Sequence, residues 1–499
     1  MRQFTYPALL IYCIFICLMV VSCQQGNKKE GSGEELAKQY CASCHLLPQP
    51  GELNKKVWGE TVLPRMGYLL GFKEWPREVL NAFDDYPEGK IAQRSSPYFI
   101  ENEPPLSKEA FDKIVAYYLE NAPEELDFEN PFEDLPVNTF LKPREVSLGL
   151  DHPSTTMSSF LAPGKLMAAD YLSGRLLQLD KDFNIKISEP LEKAVLQFQE
   201  DDDAFWATVF GDQMEGTDAP SGSLIRYPKN RQSPKTPITD LQRPSDVQIT
   251  DLNGDNLKDF VICEFGKYTG ALAWWKNTGT SYEKKVLLNL PGAINTQILD
   301  WDGDGDQDIV ALFGQAKEAI YLFINEGNEN FSTKTLMEFP ATYGSTNLLV
   351  TDFNADGLHD MIYSHGDNGD YVPLHKPYHG IRIYLGQGND TFEEAQFIPL
   401  PGIYKTIFLD LDADGDRDFL TISFFPSEDQ PSFVFLENDG QNHFSPSRIS
   451  NEFASRWMTM DAMDYDEDGD VDVVLGGFHW KEDNYASKLG LLYLENQLK

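Results

Sequence analysis

Two cysteines and a histidine near the N-terminus have the spacing of a covalent cofactor-attachment motif. They occur in the segment Cys41-Ala42-Ser43-Cys44-His45. Two thiols three positions apart can each add to one vinyl group of a haem, and the next residue then places an imidazole under the iron. The motif therefore predicts one covalently attached haem c.

Two other kinds of site share this cysteine spacing: a redox-active dithiol and one half of a zinc site. A zinc site lacks its remaining ligands, because no other cysteine or histidine occurs between residues 24 and 151. A thioredoxin-like dithiol follows a strand, whereas residues 34–40 have a helical pattern. Haem attachment is therefore the favoured interpretation.

The second axial ligand of such an iron can be found by elimination. Met66 is the one methionine between residues 24 and 156, and His45 is the one histidine before residue 152. Pro64 and Gly67 flank Met66, which suits an ordered loop that folds back over the haem. His/Met ligation raises the reduction potential and suits electron transfer. The alternative is that Met66 fills the core and the iron is pentacoordinate or otherwise ligated.

A helix is predicted after the motif, beginning near Ser107, a favourable N-cap residue, and ending before Pro123. Its apolar positions recur at helical spacing: Phe111, Ile114, Val115, Tyr118 and Leu119. This pattern resembles the C-terminal helix of class I cytochromes c. The resemblance implies a small all-α cytochrome c-like haem domain at residues 34–125, followed by a linker at 126–138.

Five acidic loops recur in the C-terminal half with the form D-x-[DN]-x-D-[GN]-x-x-D. Oxygen ligands at loop positions 1, 3, 5 and 9, with a carbonyl at position 7, suit a hard cation such as calcium. We expect up to five structural Ca²⁺ ions, the first loop being the weakest because it has Asn256 in place of glycine; the alternative is solvated acidic turns. The predicted ligands are Asp251, Asn253, Asp255 and Asp259; Asp300, Asp302, Asp304 and Asp308; Asp352, Asn354, Asp356 and Asp360; Asp410, Asp412, Asp414 and Asp418; and Asp464, Asp466, Asp468 and Asp472.

Each acidic loop is followed by a second strand signature that ends in Asn or Gly, which marks a turn. A unit of about 50 residues with several short strands is typical of one propeller blade. The pattern resembles FG-GAP/VCBS repeats, which implies an all-β propeller at residues 139–499. Asp170, Asp212 and Asp251 keep a spacing near 40, which predicts two further blades without acidic loops and seven blades in total. Residues 137–150 are expected to complete the last blade.

The N-terminus has the pattern of an exported protein. Residues 1–22 contain one positive charge and an apolar run too short for a confident membrane span, which favours a signal peptide. The run ends in Val20-Val21-Ser22-Cys23, which resembles the lipobox of bacterial lipoproteins. The resemblance implies a diacylglyceryl group on Cys23, a tether at residues 23–33, and anchoring in the bacterial cell envelope, at the periplasmic face or the outer-membrane surface. An ordinary signal peptide is the alternative.

The net charge disfavours two classes of partner, and the one remaining cysteine is assigned to the core. The net charge of −38 makes nucleic acid and anionic lipid surfaces poor partners. Cys263 stands alone in an apolar run and is expected to be a buried strand residue.

Three functions remain. The first is a cell-envelope cytochrome that transfers electrons with a redox partner protein or a small-molecule donor, while its propeller binds a protein or a glycan; the architecture resembles cytochrome-plus-VCBS-repeat lipoproteins. The second is a haem-linked dehydrogenase whose propeller oxidises a small substrate such as a sugar. The third is an adhesion protein. No catalytic residue can be assigned, and a surface or turn role is expected for each remaining histidine: His152, His359, His365, His375, His379, His443 and His479. The segment from Asp360 to His379 is the densest polar cluster.

Overall fold

The computed structural model describes residues 31–72, 96–100, 103–128, 132, 134–191, 193–214, 216–230, 232–315, 317–369, 374, 376–426, 430–480 and 489–498. The expected signal peptide, Cys23 and His375 lie outside these residues, so the predictions about them stay predictions. Within the described ranges, no helix is long and apolar enough to cross a membrane.

The N-terminal part consists of short helices, here called the helical segment (residues 33–121). Among its described residues they are α1 (Gly33–Tyr40), α2 (Lys55–Val57), α3 (Leu63–Leu69) and α4 (Lys108–Asn121), with a π-helical stretch, Trp58–Val62, between α2 and α3. Ser32 and Glu35 form a capping box at the start of α1. The Ser107 hydroxyl accepts a hydrogen bond from the Ala110 amide (3.1 Å), which confirms the predicted start of the last helix.

Helices α1 and α4 cross in close contact. A Cβ atom on Gly33 would lie 2.2 Å from the Lys113 carbonyl oxygen, so the crossing needs a glycine there. The rings of Trp58 and Tyr118 pack 4.4 Å apart between their centroids. Together with Phe111 and other apolar residues they form one core shared by all parts of the helical segment.

The rest of the chain forms seven four-stranded antiparallel sheets, which confirms the predicted seven-bladed propeller. Blade 1 has β2 (Thr155–Ala162), β3 (Lys165–Asp170), β4 (Arg175–Asp180) and β5 (Ile185–Pro190). Blade 2 has β6 (Ala194–Glu200), β7 (Ala204–Gly211), β8 (Gly222–Pro228) and β9 (Lys235–Leu241). Blade 3 has β10 (Pro244–Thr250), β11 (Asp259–Glu264), β12 (Ala271–Asn277) and β13 (Tyr282–Leu288). Blade 4 has β14 (Ala293–Leu299), β15 (Asp308–Phe313), β16 (Glu318–Asn325) and β17 (Phe331–Phe339).

The remaining blades follow the same plan. Blade 5 has β18 (Ser345–Thr351), β19 (Asp360–His365), β20 (Gly380–Gly386) and β21 (Phe392–Pro399). Blade 6 has β22 (Ile403–Leu409), β23 (Asp418–Ser423), β24 (Phe433–Asn438) and β25 (Phe444–Arg448). Blade 7 has β26 (Trp457–Met463), β27 (Asp472–Gly477) and β28 (Leu491–Asn496), and its fourth strand is β1 (Leu141–Val146), paired antiparallel with β28. The start of the propeller therefore closes its last blade, as predicted.

The apolar cores lie between neighbouring blades. The second strands of blades 3, 4, 5 and 7 are buried along their whole length, whereas the outermost strand β5 is exposed throughout. Seven separate clusters of buried side chains each join two adjacent blades. Cys263 on β11 is buried, which confirms its predicted place in a core strand.

Hydrogen bonds from the innermost strands link each blade to the next around the ring. The polar side chain is on one blade and its backbone partner is on the following blade. The links are Thr156 to Val195, Gln197 to Val247, Asp246 to Thr296, Gln297 to Val350, Asn347 to Thr406, Lys405 to Met460, and Asp461 to Phe160. Because every interface has such a link, the ring closes without a gap.

The propeller has two distinct faces. In an antiparallel blade, the connections after the first and third strands emerge at one end, and those after the second and fourth strands emerge at the other. The five acidic loops each connect a first strand to a second strand, so they share one face, here called the acidic face. The helical segment contacts Thr342, after β17, and Tyr378, after β19, so it lies on the opposite face.

Candidate functional site

The cysteine–histidine motif follows directly from helix α1. Cys41 caps the end of this helix, and residues 41–43 form a single 3-10 turn that brings Cys44 and His45 back toward the helical core. Both thiols are free and half-buried. Burial, with a smaller effect of Cys44, raises the pKa of Cys41 to about 11. The thiol is therefore protonated at neutral pH.

His45 is oriented as a metal-binding imidazole would be. Its Nδ1 atom lies 2.9 Å from the Leu46 carbonyl oxygen. A carbonyl can only accept, so Nδ1 carries the proton and Nε2 keeps its lone pair. Burial lowers the pKa of His45, which favours this neutral form. Such a second hydrogen bond fixes the tautomer of a ligating histidine.

Met66 lies on helix α3 and not in a loop, so the sequence-based expectation of a loop was wrong. Proline is tolerated in the first turn of a helix, and Pro64 therefore begins α3 where the sequence suggested a break. Gly67 is buried within the same helix. Met66 is half-buried against the helical core, as are Cys41 and Leu47.

The segment after the motif is tied to the helices by two buried hydrogen bonds. The Trp58 indole N–H donates to the Pro50 carbonyl oxygen (2.9 Å), and the Tyr118 hydroxyl donates to the Pro48 carbonyl oxygen (2.8 Å). These bonds hold residues 45–50 against α4. Cys41 and Met66 pack against the same apolar core.

Three of the five acidic loops bring carboxylate oxygens together within 4.8 Å of one another. These groups are Asp300, Asp302 and Asp304; Asp410, Asp412 and Asp418; and Asp464, Asp466 and Asp468. In the loops that begin at Asp251 and Asp352, the third position is asparagine, and its amide donates to the aspartate at the fifth position (2.9 Å in both). Those two loops have one carboxylate fewer among the four predicted side-chain ligands.

The crowded carboxylates perturb one another. Burial, followed by the charge of Asp414, raises the pKa of Asp412 to about 6. Burial and the charges of Asp468 and Asp472 raise the pKa of Asp470 to about 7. A divalent cation would reverse these shifts, because it favours the charged form of each carboxylate.

The ninth-position aspartates have a role that spacing did not predict. Each is fully buried, and its two oxygens accept from the backbone amide of loop position 2 and from the last residue of the third strand. For Asp308 these donors are Trp301 (2.8 Å) and Asn325 (2.7 Å). The same pairs occur at Asp259, Asp360, Asp418 and Asp472. The sequence signal for this role was the Asn or Gly residue that ends the third strand of each of these blades.

The histidines divide into two groups. His152 and His443 are exposed as predicted, and His359 is half-buried against Trp301. The expectation of a surface position was wrong for His365, His379 and His479, which are fully buried. His379 nevertheless has a turn role, because its amide donates to the Lys376 carbonyl oxygen (3.1 Å).

His365 lies between two tyrosine rings on blade 5. Its ring centroid is 4.8 Å from that of Tyr343 and 4.9 Å from that of Tyr363, and its Nε2 accepts from Arg382 Nε (3.1 Å). Burial and the Arg382 charge lower its pKa well below the usual value. His379 lies 6.1 Å away between centroids. His365 and His379 of the predicted polar segment are therefore close to each other, whereas His375 lies outside the described residues.

Contacts between the helical segment and blades 4 and 5 were not predicted. Glu52, Thr342, Lys376 and Tyr378 meet there, although Glu52 and Thr342 are 290 positions apart. No local pattern signals such a pairing.

Comparison with known proteins supports the repeat assignment. The model of the FG-GAP-like repeat matches residues 251–311, 300–363 and 410–475. A T-cell immunomodulatory protein homolog from Plasmodium yoelii yoelii is 24% identical over 272 residues, which are 47% of this chain and 38% of that protein. The chain thus spans about two fifths of that relative's length. The chain therefore contains FG-GAP-like repeats in a seven-bladed β-propeller.

Several solved structures resemble the propeller at low identity. The N-terminal domain of Nup159 is 10% identical and has a TM-score of 0.43, with 72% of this chain and 97% of that chain covered. YCF48 bound to D1 peptide is 9% identical with a TM-score of 0.45, covering 73% and 98%. Streptogramin B lyase is 13% identical with a TM-score of 0.44, covering 71% and 98%.

Proposed function

We propose that this protein is a cell-envelope c-type cytochrome that transfers electrons through one covalent haem. Cys41 and Cys44 form the thioether bonds, His45 is the proximal ligand and Met66 is the second axial ligand. The observation that carries this proposal is the His45 imidazole, whose Nδ1 donates to Leu46 beside two free thiols. That arrangement leaves Nε2 free to bind a metal.

The residues present suit a haem chemically. Cys41 and Met66 pack against one apolar core, and the half-buried Cys44 and the neutral His45 follow Cys41 directly in the chain. When bound, a c-type haem supplies a one-electron iron couple whose potential the axial ligands and burial adjust. The chain's own part is to hold His45 and Met66 in place and to keep the pocket dry. The close packing of α1 on α4 at Gly33 supports this role, since the N- and C-terminal helices of class I cytochromes c pack together beside the haem.

The propeller is proposed to be a calcium-stabilised platform. Three loops gather three carboxylates each, and two loops with asparagine at the third position are weaker sites. The ions are structural, since each loop joins the first two strands of a blade. The partner is a redox protein or a small-molecule electron donor, and the propeller is proposed to bind a protein or a carbohydrate.

Anchoring through a lipid on Cys23 completes the proposal and places the protein in the bacterial cell envelope. The support is the lipobox-like sequence Val20-Val21-Ser22-Cys23 and the net charge of −38, which disfavours nucleic acid.

A haem-linked dehydrogenase is the second candidate. The observation that favours it is the buried pair His365 and His379. His365 ends β19 and His379 directly precedes β20, so both are on blade 5, which contacts the helical segment. Addition of sugars to the purified oxidised protein distinguishes the two functions. Reduction of the haem by a sugar supports a dehydrogenase, and reduction only by a protein donor supports electron transfer alone.

Covalent haem is tested in a host with the c-type maturation machinery. The wild-type chain is expected to retain haem after denaturing electrophoresis, and the Cys41→Ala/Cys44→Ala double variant to lose it entirely, because both thioether bonds are gone. Cys263→Ala, which changes a buried thiol in the propeller, is the control and should keep its haem. Haem that stays attached in the double variant, or a wild-type chain without haem, contradicts the proposal.

A further inference from the structure

The helical segment is joined to the propeller through Glu52. The Glu52 carboxylate accepts from the Thr342 hydroxyl (2.5 Å), and the Glu52 carbonyl oxygen accepts from the Tyr378 hydroxyl (2.9 Å). Thr342 lies between blades 4 and 5, and Tyr378 follows β19 of blade 5. Both a side chain and a backbone group of the same residue are therefore held by the propeller.

A buried lysine supports this junction. Lys376 is 1% exposed, and its Nζ donates to the Thr342 carbonyl oxygen (2.8 Å). Burial raises the pKa of Glu52, and the Lys376 charge lowers it in part. Lys376 acts in the same direction on Glu318, a buried residue of blade 4. Removing the helical segment would leave this ammonium with one carboxylate fewer, which is costly for a buried charge.

The propeller also contributes to the apolar core of the helical segment. Leu374, two residues before Lys376, packs against the same apolar core as Cys41, Leu47 and Met66 do. Tyr98 of the helical segment lies near Cys44 and near Tyr321 of blade 4. Burial raises the pKa of the Tyr98 phenol most, and the charges of Tyr321 and Cys44 raise it further. Cys44 of the motif is thus close to a tyrosine that lies near blade 4.

We propose that Leu374 is a positioning residue for the haem site: from the propeller side it covers the apolar core against which Met66 also packs. This inference rests on the proposed function. A methionine thioether is a soft, weak ligand, and it stays on iron only where competing water is excluded. The propeller would then be part of the haem environment, through its blade 5 residues Leu374, Lys376 and Tyr378. The redox centre and the propeller would act as one unit.

The test uses the full chain with three variants. Leu374→Asp places a charge against the pocket, and Leu374→Met keeps an apolar side chain of similar volume. Leu358→Asp is the matched control, because Leu358 is an exposed leucine of the same blade on the acidic face. Three sister loops already have aspartate at its position: Asp306, Asp416 and Asp470.

The fraction of ferrous haem that binds carbon monoxide is measured, together with the sulfur-to-iron charge-transfer band of the ferric form. In Leu374→Asp we expect at least a tenfold rise in carbon monoxide binding and loss of the band. Leu374→Met and Leu358→Asp should behave as wild type. If Leu374→Asp does not fold, Leu374→Ala is judged instead, with at least a threefold rise expected.

The outcomes separate the two proposals. A wild-type chain without covalent haem overturns the proposed function. Suppose that the wild-type chain has haem, but that Leu374→Asp or Leu374→Ala binds no more carbon monoxide than Leu358→Asp does. This result overturns the positioning role alone.

Discussion

Removal of calcium should lower the melting temperature of the propeller by at least ten degrees. A ligand that binds only the folded state contributes about 2.7 kcal/mol at a hundredfold excess over Kd. The three loops with clustered carboxylates give about 8 kcal/mol together, and all five loops about 13 kcal/mol. At roughly 2.1 cal/mol/K per residue, unfolding of residues 139–499 has an entropy near 0.76 kcal/mol/K. The melting temperature should therefore fall by about 10 to 18 °C.

The assay is calorimetry of the full chain in a metal-free buffer, with calcium or with a chelator. Asp302→Ala removes one proposed ligand and should cost one site, about 3 to 4 °C in the presence of calcium. Asp306→Ala, in the same loop, removes a carboxylate at the position where only the carbonyl is expected to bind, so it is the matched control. The haem spectrum should barely change on chelation, because the helical segment contains no such loop.

Two results would refute this reasoning. A chelator shift below about 2 °C would mean that the loops are acidic turns that need no ion. If Asp302→Ala and Asp306→Ala lowered the melting temperature equally, the decrease would come from the loss of a negative charge and not from the loss of a calcium ligand.

Two further predictions concern single side chains. Met66→Ala should open the iron to external ligands and abolish the sulfur-to-iron charge-transfer band, because Met66 is the one methionine between residues 24 and 156 and the one histidine there before residue 152, His45, is already the proximal ligand; an unchanged spectrum would show that Met66 fills the core only. Glu318 is buried, and burial raises its pKa to about 7. A raised carboxyl pKa stabilises the folded state at low pH, and this contribution of about 3 kcal/mol is lost as pH rises from about 4.5 to 7. In chelator, Glu318→Gln should therefore flatten the fall in melting temperature between pH 4.5 and pH 8, and equal slopes in variant and wild type would contradict the assignment.

The propeller could be predicted because each blade repeats its own local pattern. An acidic turn, a buried second strand and a third strand ending in Asn or Gly recur five times, and the turn chemistry is written within nine residues. Blades 1 and 2 lost the acidic turn, yet the spacing of Asp170, Asp212 and Asp251 still marked them. The closing strand β1 was predictable because blade 7 has only three strands of its own.

Other features depend on distant partners and left no local signal. His365 and His379 have polar neighbours in sequence, but stacking with Tyr343 and closure by neighbouring blades bury them. Proline and glycine around Met66 suggested a loop, whereas Pro64 occupies the first turn of a helix that the rest of the core stabilises.

The arrangement of the two faces connects the stability of the propeller to the helical segment. The acidic loops lie on one face, and Glu52 meets Thr342 and Tyr378 on the other, so no ion is in direct contact with the junction. The blade 4 loop that begins at Asp300 nevertheless leads into β15, and β15 packs in the same cores as β16, which carries Glu318, and as β17 and β18, which flank Thr342. Loss of an ion should thus weaken the junction only through unfolding of the blades. A propeller that keeps its sheets should keep the helical segment in place, whatever its ions.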